Sequence, residues 1–263
     1  MSGFSTQWLD LREPADRAAR DKGLLREAAA LVARADDPAV LDLGSGTGAT
    51  ARALGPYCGA GITWRFVDHD PDLLREAGRR TPGAATFARD LAALAASGGD
   101  GLPLDGVALV TASALFDLVS EAWVERLVAL LSARRMPLYS ALTYTGAMGF
   151  NPGHALDERI VAAFNADQRA DKGFGPALGP EAADVLARAL RRSGYSVRVA
   201  ASPWILGTGD LALTTDLLRG TAEAARRHLD AAEDADRWLA ARLASAPHGT
   251  IHIGHQDLLA VPL

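Results

Sequence analysis

Residues 39–54 constrain this chain more than any other stretch. Ala39-Val-Leu-Asp-Leu43 is a short apolar run, Gly44-Ser-Gly-Thr-Gly48 follows without a break, and Ala49-Thr-Ala-Arg-Ala-Leu54 has helical composition. The reading is strand, tight turn, helix. Glycines at alternate positions in that context let the backbone approach a ligand, with the N–H groups of the helix start aimed at it. Gly44 permits the turn, and Gly46 removes a side chain at the point of approach. A strand that feeds a helix in this way belongs to a right-handed crossover, and so to a mainly parallel sheet with helices on both faces.

The rest of the chain repeats the alternation. A helix is predicted over Glu13–Ala35, with Pro14 in its first turn, Gly23 as a candidate break and Leu24, Leu25, Ala28, Leu31 and Val32 on one stripe. A second strand runs from Ile62 to Val67 and ends in Asp68-His69-Asp70, before a helix opened by Pro71. A weak third strand, Ala84–Ala88, ends at Asp90, and Gly106–Val110 is a fourth. Ser120 suits the N-cap of a helix carrying Val124, Leu127, Val128 and Leu131. Pro137–Tyr144 and Tyr195–Ala200 are the fifth and sixth strands, separated by a helix between Pro180 and Gly194, and 250–261 contains the last. Residues 145–179 and 202–248 fall outside the alternation, the second largely helical. The expected organisation of 1–263 is a single domain. An N-terminal helical lid (1–37) precedes a ligand-binding half (38–144), a cover insertion (145–179) and the remaining sheet with its helical insertion (180–263).

Composition narrows the class. Of the 263 residues 49% are hydrophobic and 22% charged, which suits a folded protein. The single cysteine, Cys58, excludes an intrachain disulfide framework and a cysteine-based zinc site. Net charge is -5, and basic residues are interleaved with acidic ones, so a nucleic-acid footprint is not expected. No apolar run is long enough for a membrane span, and the N-terminus lacks the pattern of a signal peptide, so a cytoplasmic location is expected. All basic residues except Lys22 and Lys172 are Arg, a bias of high-GC bacterial coding.

The ligand of the glycine turn is the next question. Gly44-x-Gly46-x-x-Ala49 also fits a loose dinucleotide pattern, but Asp42 precedes it by two residues. A carboxylate there repels a pyrophosphate and favours a ligand carrying an ammonium and a sulfonium. Asp68, at the end of the second strand, stands where a carboxylate can accept both ribose hydroxyls. Asp70 is a second candidate for that role or an N-cap before Pro71, and Asp90 suits an adenine amino group or a solvated loop.

The segments VLDLGSGTGATARAL, FVDHDPDLL, FARDLA and GVALVTASALFDL, taken in order, resemble motifs one to four of class I S-adenosylmethionine-dependent methyltransferases. The resemblance covers about 38–144 closely and 180–263 as fold only. It implies a Rossmann-like α/β fold with a seven-stranded, mainly parallel sheet, order 3-2-1-4-5-7-6, the seventh strand antiparallel. It implies S-adenosylmethionine as cofactor. Asp42, Gly44 and Gly46 then line the methionine end, Asp68 the ribose, and Asp90 with Leu91 the adenine. Ser45, His69 and Thr111 complete the expected cofactor set. The family's short hairpin between strands six and seven is replaced here by 202–248. Two rivals keep the same fold: a dinucleotide-dependent oxidoreductase, against which Asp42 speaks, and a non-catalytic methyltransferase-like binding subunit.

Methyl transfer needs in-line alignment and exclusion of water, so the acceptor is expected over the ends of strands four and five. That places Ser113 and Phe116 near the methyl, with Tyr144 close by. TASALFD lacks the Asn/Asp-Pro-Pro-aromatic segment that grips a planar amino nitrogen, which disfavours adenine and glutamine as acceptors. Within 145–179, Phe150, Phe164 and Phe174 suit an apolar wall, and Asn151, His154, Asn165, Gln168 and Lys172 suit polar anchors. Phe4, Gln7, Trp8, Leu11 and Arg12 are expected to close over the same site. His154 is the first candidate base and Asp117 the second, with Tyr144 at the pocket floor. The histidines His248, His252 and His255 lack an acidic partner at metal spacing, and no metal is expected. Ser45 lacks the Gly-x-Ser-x-Gly elbow of a hydrolase. The expected function is methyl transfer to an O or N atom of a small molecule, by a monomer or homodimer.

Overall fold

A computed structural model describes residues 4–96 and 101–263. In chain order the elements are α1 (Thr6–Ala19), α2 (Lys22–Val32), β1 (Ala39–Leu43), α3 (Ala49–Cys58), β2 (Thr63–Asp68), α4 (Pro71–Arg80) and β3 (Ala85–Ala88). There follow α5 (Leu91–Ala96), β4 (Val107–Ser113), α6 (Glu121–Ala133), β5 (Leu138–Asn151), α7 (Asp157–Gln168), α8 (Ala182–Arg192) and β6 (Tyr195–Ala201). The chain closes with β7 (Trp204–Leu206), α9 (Leu211–Arg226), α10 (Glu233–Ser245) and β8 (Thr250–Pro262).

The sheet order is β3-β2-β1-β4-β5-β8-β6, with β7 paired to β8 off that path. Strands from β3 through β5 pair in parallel, and β8 is antiparallel to both β5 and β6. Apart from the three-residue β7, this is the expected seven-strand order. One face is covered by α6 and α8, whose Trp123, Val124, Leu127, Leu131, Val185 and Leu186 join Leu41, Val110 and Leu138 of the sheet. The other face is covered by α2, α3 and α4 through Leu24, Leu25, Ala28, Leu54 and Leu74 against Phe66, Leu109 and Tyr139. Burying both faces is what lets β1 and the core of β4 read as continuous apolar runs.

The N-terminus departs from the sequence reading. Helix α1 begins at Thr6, capped by Ser5, whose side chain accepts the Trp8 N–H at 3.1 Å, and Pro14 lies inside it. The break falls at Arg20–Asp21 rather than at Gly23, because Asp21 caps α2 by accepting from Leu24 N at 2.7 Å. A proline inside a helix costs on the order of 3 kcal/mol. Burial of one face of α1 offsets it: Trp8, Leu11 and Ala15 pack against a third core cluster.

That cluster arises because β5 and β8 overrun the sheet. The glycine-rich residues after Tyr144 read as loop, yet they continue β5 as far as Asn151, with Phe150 opposite Ile251. The register slips between Ser140 and Thr143, where Leu142 adopts φ 57°. Asp257 holds this bulge, its Oδ1 accepting the Leu142 N–H at 2.9 Å. Helices α7, α9 and α10 pack on the extension through Ile160, Leu213, Leu218 and Trp238, together with Trp204 and Ile253. The segments 145–179 and 202–248 thus pack together as one cap over the carboxyl end of the sheet.

Candidate active site

Where β1, β2 and β4 end, a cavity of about 360 Å³ opens, lined in part by Gly44, Gly46, Asp68, His69, Asp90, Leu91 and Ser113. Pockets of roughly 300–1,000 Å³ suit a small molecule or cofactor. Its bottom is the glycine turn. Gly44 and Gly46 have φ 63° and 53°, where a side chain is strained. A Cβ on Gly46 would stand 3.1 Å from Leu9, and one on Gly44 3.3 Å from Leu115.

Asp68 organises the rim. Its Oδ2 accepts the Gly46 N–H at 2.8 Å and its Oδ1 the Asp70 N–H at 3.0 Å, with His69 Nδ1 3.3 Å from Oδ1. Asp70 is an N-cap, accepting from Asp72 N and Leu73 N. Asp90 caps α5 by accepting from Ala92 N at 2.9 Å, and the Leu91 carbonyl accepts from Trp123 Nε1 at 2.7 Å. Phe174 and Trp123 pack edge-to-face, ring centres 5.8 Å apart, so the Asp90–Leu91 end of the cavity has an aromatic backing.

Asp42, Ser45 and Thr111 do not line the cavity. Asp42 is 1% exposed and lies beneath the turn, where Thr111 Oγ1 donates to its Oδ1 at 2.7 Å. Burial pushes its carboxyl up to about 6, the Thr111 bond and Arg20 acting the other way. Asp42 Oδ2 and Ser45 Oγ are buried with no partner among the described residues. Sequence reasoning passed over Arg20, which is 3% exposed and donates from Nη2 to Ser113 Oγ at 2.9 Å, while Ser113 Oγ also pairs with Thr50 Oγ1 at 3.1 Å. Its signal is weak, since nothing in sequence tells a buried arginine from a solvated one.

The opposite wall comes from the two covering segments, through some of the expected residues, Phe4, Arg12, Lys172 and Phe174, and not through others. Phe4, Leu9 and Arg12 line the cavity, but Trp8 packs toward the cap core. From 145–179 only Asp171, Lys172 and Phe174 reach it. Phe150 packs edge-on against Trp238, ring centres 5.6 Å apart, and Phe164 against Tyr144 at 5.8 Å. Asn165 bridges Tyr144 OH at 2.9 Å and the Gly146 carbonyl at 2.9 Å, and Gln168 backs against Gly179. His154 is spent on a local turn, its N–H donating to Asp157 and its Nδ1 accepting from Leu156 N at 3.2 Å. Phe116 is a fully buried core residue. Phe150, His154, Phe164, Asn165 and Gln168 belong to the cap, because β5 runs past the sheet and carries them outside the cavity lining.

Three further polar side chains, Asp117, Tyr144 and His255, are buried and do not line the cavity. Asp117 belongs to the turn after β4, and burial pushes its carboxyl up to about 6. His255, on β8, is pushed down to about 3 by burial and by Arg12, so it is neutral. Its ring centre lies 5.2 Å from that of Trp204 and 6.2 Å from that of Tyr144. Arg12 lies over Trp204 at 5.0 Å and grips Asp16 with two bonds of 2.9 and 3.2 Å. Burial, with the Asp117 charge nearby, raises the Tyr144 phenol.

No family model and no curated protein matches the sequence. Among solved structures, the cyclopropane synthase MmaA2 from Mycobacterium tuberculosis aligns with TM-score 0.54 and 13% identity, over 98% of this chain and 94% of that one. The plantazolicin methyltransferase BpumL, solved with SAH, aligns with TM-score 0.50 and 11% identity over 98% and 88%. A protein described as a methyltransferase from an antibiotic biosynthesis pathway of Anabaena variabilis aligns with TM-score 0.50 and 17% identity over 94% and 100%. The likeness is one of fold: this chain has the fold of class I S-adenosylmethionine-dependent methyltransferases.

Proposed function

We propose that the chain is an S-adenosylmethionine-dependent methyltransferase acting on an O or N atom of a small molecule. The observation that carries this reading is the cavity itself, which brings Gly44, Gly46, Asp68, Asp90 and Leu91 together at the ends of parallel strands. The sulfonium of the cofactor supplies an activated methyl group. The chain's own residues do the rest. Gly44 and Gly46 admit the amino-acid end close to backbone, over the field of the buried Asp42. Asp68 offers carboxylate lone pairs to ribose hydroxyls, while Leu91 and Phe174 flank the base. Ser113 and Leu115, at the end of β4, mark the side from which an acceptor arrives. Helix α1 covers that side and excludes water, which strengthens every electrostatic interaction inside. None of the three candidate catalytic groups lines the cavity: Asp117 and Tyr144 are buried, and His154 is occupied in the turn before α7.

The test is calorimetric titration with S-adenosylmethionine, S-adenosylhomocysteine, NAD and NADP. Binding of the first two and not of the last pair is expected. Tight NAD binding with no response to S-adenosylmethionine sinks the reading.

A further inference from the structure

Sheet order gives the cavity two sides. Asp68 closes β2 and Asp90 follows β3, whereas Ser113 closes β4, with β5, β8 and β7 beyond it. Arg12 lines the cavity and stands over the ring of Trp204 on β7, 5.0 Å from its centre. That seat puts it on the β4 side, away from the ribose and adenine residues. Asp16 takes the guanidinium by Nε at 2.9 Å and by Nη2 at 3.2 Å, and Trp204 Nε1 donates to the same carboxylate at 2.9 Å. Arg12 is thus fixed along one edge and on one face. Its other edge, Nη1 with the second Nη2 hydrogen, has no partner among the described residues and is what Arg12 offers the cavity. Ser113 adds a hydroxyl to the same side, held by Arg20 Nη2 at 2.9 Å and Thr50 Oγ1 at 3.1 Å. Ala114, Leu115 and Leu118 complete this side, so none of its described residues can take a proton at neutral pH. The carboxylates and the imidazole that do line the cavity belong to the ends of β2 and β3 and to the loop carrying Phe174.

We propose that the acceptor is a carboxylate: Arg12 holds the anion, and one of its oxygens takes the methyl group. The proposal rests on the methyl-transfer reading above. A guanidinium edge meets a carboxylate with two parallel N–H donors, which a lysine cannot do. Because Asp16 and Trp204 already fix Arg12, little side-chain freedom is lost when the anion binds. One cation already shared with Asp16 suits a monoanion better than a phosphate, which carries about -1.5 to -2 charges at neutral pH. An alcohol or a phenol needs a base to take its proton, whereas a carboxylate is already ionised. In the step, a lone pair of the carboxylate oxygen forms the new C–O bond. The C–S bond breaks, and its electron pair stays on sulfur, which becomes a neutral thioether. No proton leaves, so no base is required. The products are a methyl ester and S-adenosylhomocysteine. The cofactor has a carboxylate of its own with the same chemistry, and the position of Arg12 on the β4 side is what assigns the edge to the acceptor.

The experiment uses the full chain and two probes of nearly equal shape, benzoate and benzamide, titrated by calorimetry with and without saturating S-adenosylhomocysteine. With it, benzoate is expected to bind roughly ten-fold more tightly, since only the anion makes the charge-assisted pair. Arg12→Gln is expected to abolish that preference. Arg12→Lys keeps the charge beside Asp16 but not the fork, and is expected to retain part of it. Lys172, the other cation lining the cavity, is bound to Asp167 at 3.0 Å on the Phe174 side, and Lys172→Met is expected to leave the preference intact. With S-adenosylmethionine labelled in its methyl group, benzoate is expected to acquire label that alkali releases as methanol. Equal binding of the two probes, binding of neither, a preference that survives Arg12→Gln, or an equal loss in Lys172→Met overturns the proposal. Benzoate that binds only without S-adenosylhomocysteine also overturns it, because the edge then serves the cofactor's own carboxylate. Bound benzoate that acquires no alkali-labile label overturns the ester step. Failure of S-adenosylhomocysteine to bind counts against the methyl-transfer reading instead, and the benzoate preference measured in its absence then decides the Arg12 assignment.

Discussion

Gly46 donates its backbone N–H to Asp68 Oδ2 at 2.8 Å, which ties the glycine turn after β1 to the end of β2. One carboxylate thereby shapes the turn and faces the cavity beside it. Asp68→Ala is expected to weaken both S-adenosylmethionine and adenosine, since the ribose hydroxyls are common to them. A hydrogen bond to a charged group is worth about 1.5–3 kcal/mol, so the loss is on the order of ten- to a hundred-fold in affinity. Asp42→Ala is expected to weaken S-adenosylmethionine far more than adenosine, because its field acts at the amino-acid end. Titration of both ligands against both variants is the check, and equal losses throughout contradict this division of roles.

Helix α1 is clasped over the cavity by two ion pairs. Arg52 on α3 donates to Glu13 at 2.8 and 2.6 Å, and Arg80 on α4 binds Asp10. Each is partly exposed, and such pairs contribute about 0.2–1 kcal/mol. Glu13→Ala combined with Asp10→Ala is therefore expected to speed cofactor release by roughly two- to ten-fold, while raised salt narrows the gap between variant and parent. Stopped-flow displacement of the cofactor measures this. An unchanged release rate means that the cofactor does not leave under α1.

The order of the sheet is legible in the sequence because the strands from β1 to β4 are short, β1 is stopped by a glycine turn, and β2 and β3 end at or just before an acidic residue. The extension of β5 is not. Gly146 and Gly149 break its pattern locally, and the pairing that overrides them comes from His252 and Ile253, about a hundred positions further on. The same long-range pairing decides the burial of His255. Alternation along β8 puts His252 and His255 on opposite faces, and they are respectively exposed and buried. Which elements would bury His255, however, depends on α1 and β7, and neither the start of α1 nor the three-residue β7 carries a strong local signal. The glycine turn and Asp68 were readable because local geometry fixes them. Arg20 was not, because its role depends on how α1 meets β4.

Asp117 gives the pH dependence a definite sign. Its folded-state pKa lies at about 6, above the ordinary carboxylate value, because burial penalises the ionised form. The native chain thus binds more protons than the unfolded one between about pH 4 and pH 6. The contribution is fully present below the unfolded pKa and is lost as pH rises through about 6. Asp117→Asn is expected to remove this slope and to stabilise the chain by on the order of 2–3 kcal/mol at pH 8, the difference vanishing toward pH 4. Urea unfolding of both proteins at pH 4, 6 and 8 reads it. A stability difference that grows toward acid pH contradicts the assigned direction.

Asp257 is the buried joint between the N-terminal helices and the sheet. It is 0% exposed, and its two oxygens accept from Asp21 N at 3.0 Å, Tyr139 OH at 3.0 Å and Leu142 N at 2.9 Å. The three bonds fix the start of α2, the middle of β5 and the left-handed Leu142 that shifts the register of β5 ahead of Tyr144. Asp257→Ala leaves two buried donors and one half-buried donor without a partner, at about 1–3 kcal/mol for each buried one before relaxation. The expected loss is on the order of 3–5 kcal/mol, or roughly a 10 °C fall in melting temperature for a chain of this size. A second effect separates this joint from an ordinary core contact. Arg20 precedes Asp21 directly and reaches Ser113 at the cavity wall, so loosening the start of α2 moves a charge at the site. Asp257→Ala is therefore expected to weaken S-adenosylhomocysteine several-fold at a temperature where the variant is fully folded. A control of similar stability cost far from this joint, Trp238→Ala in the cap core, is expected to leave that affinity unchanged. Equal affinity in the Asp257 variant and the parent limits this carboxylate to a structural role.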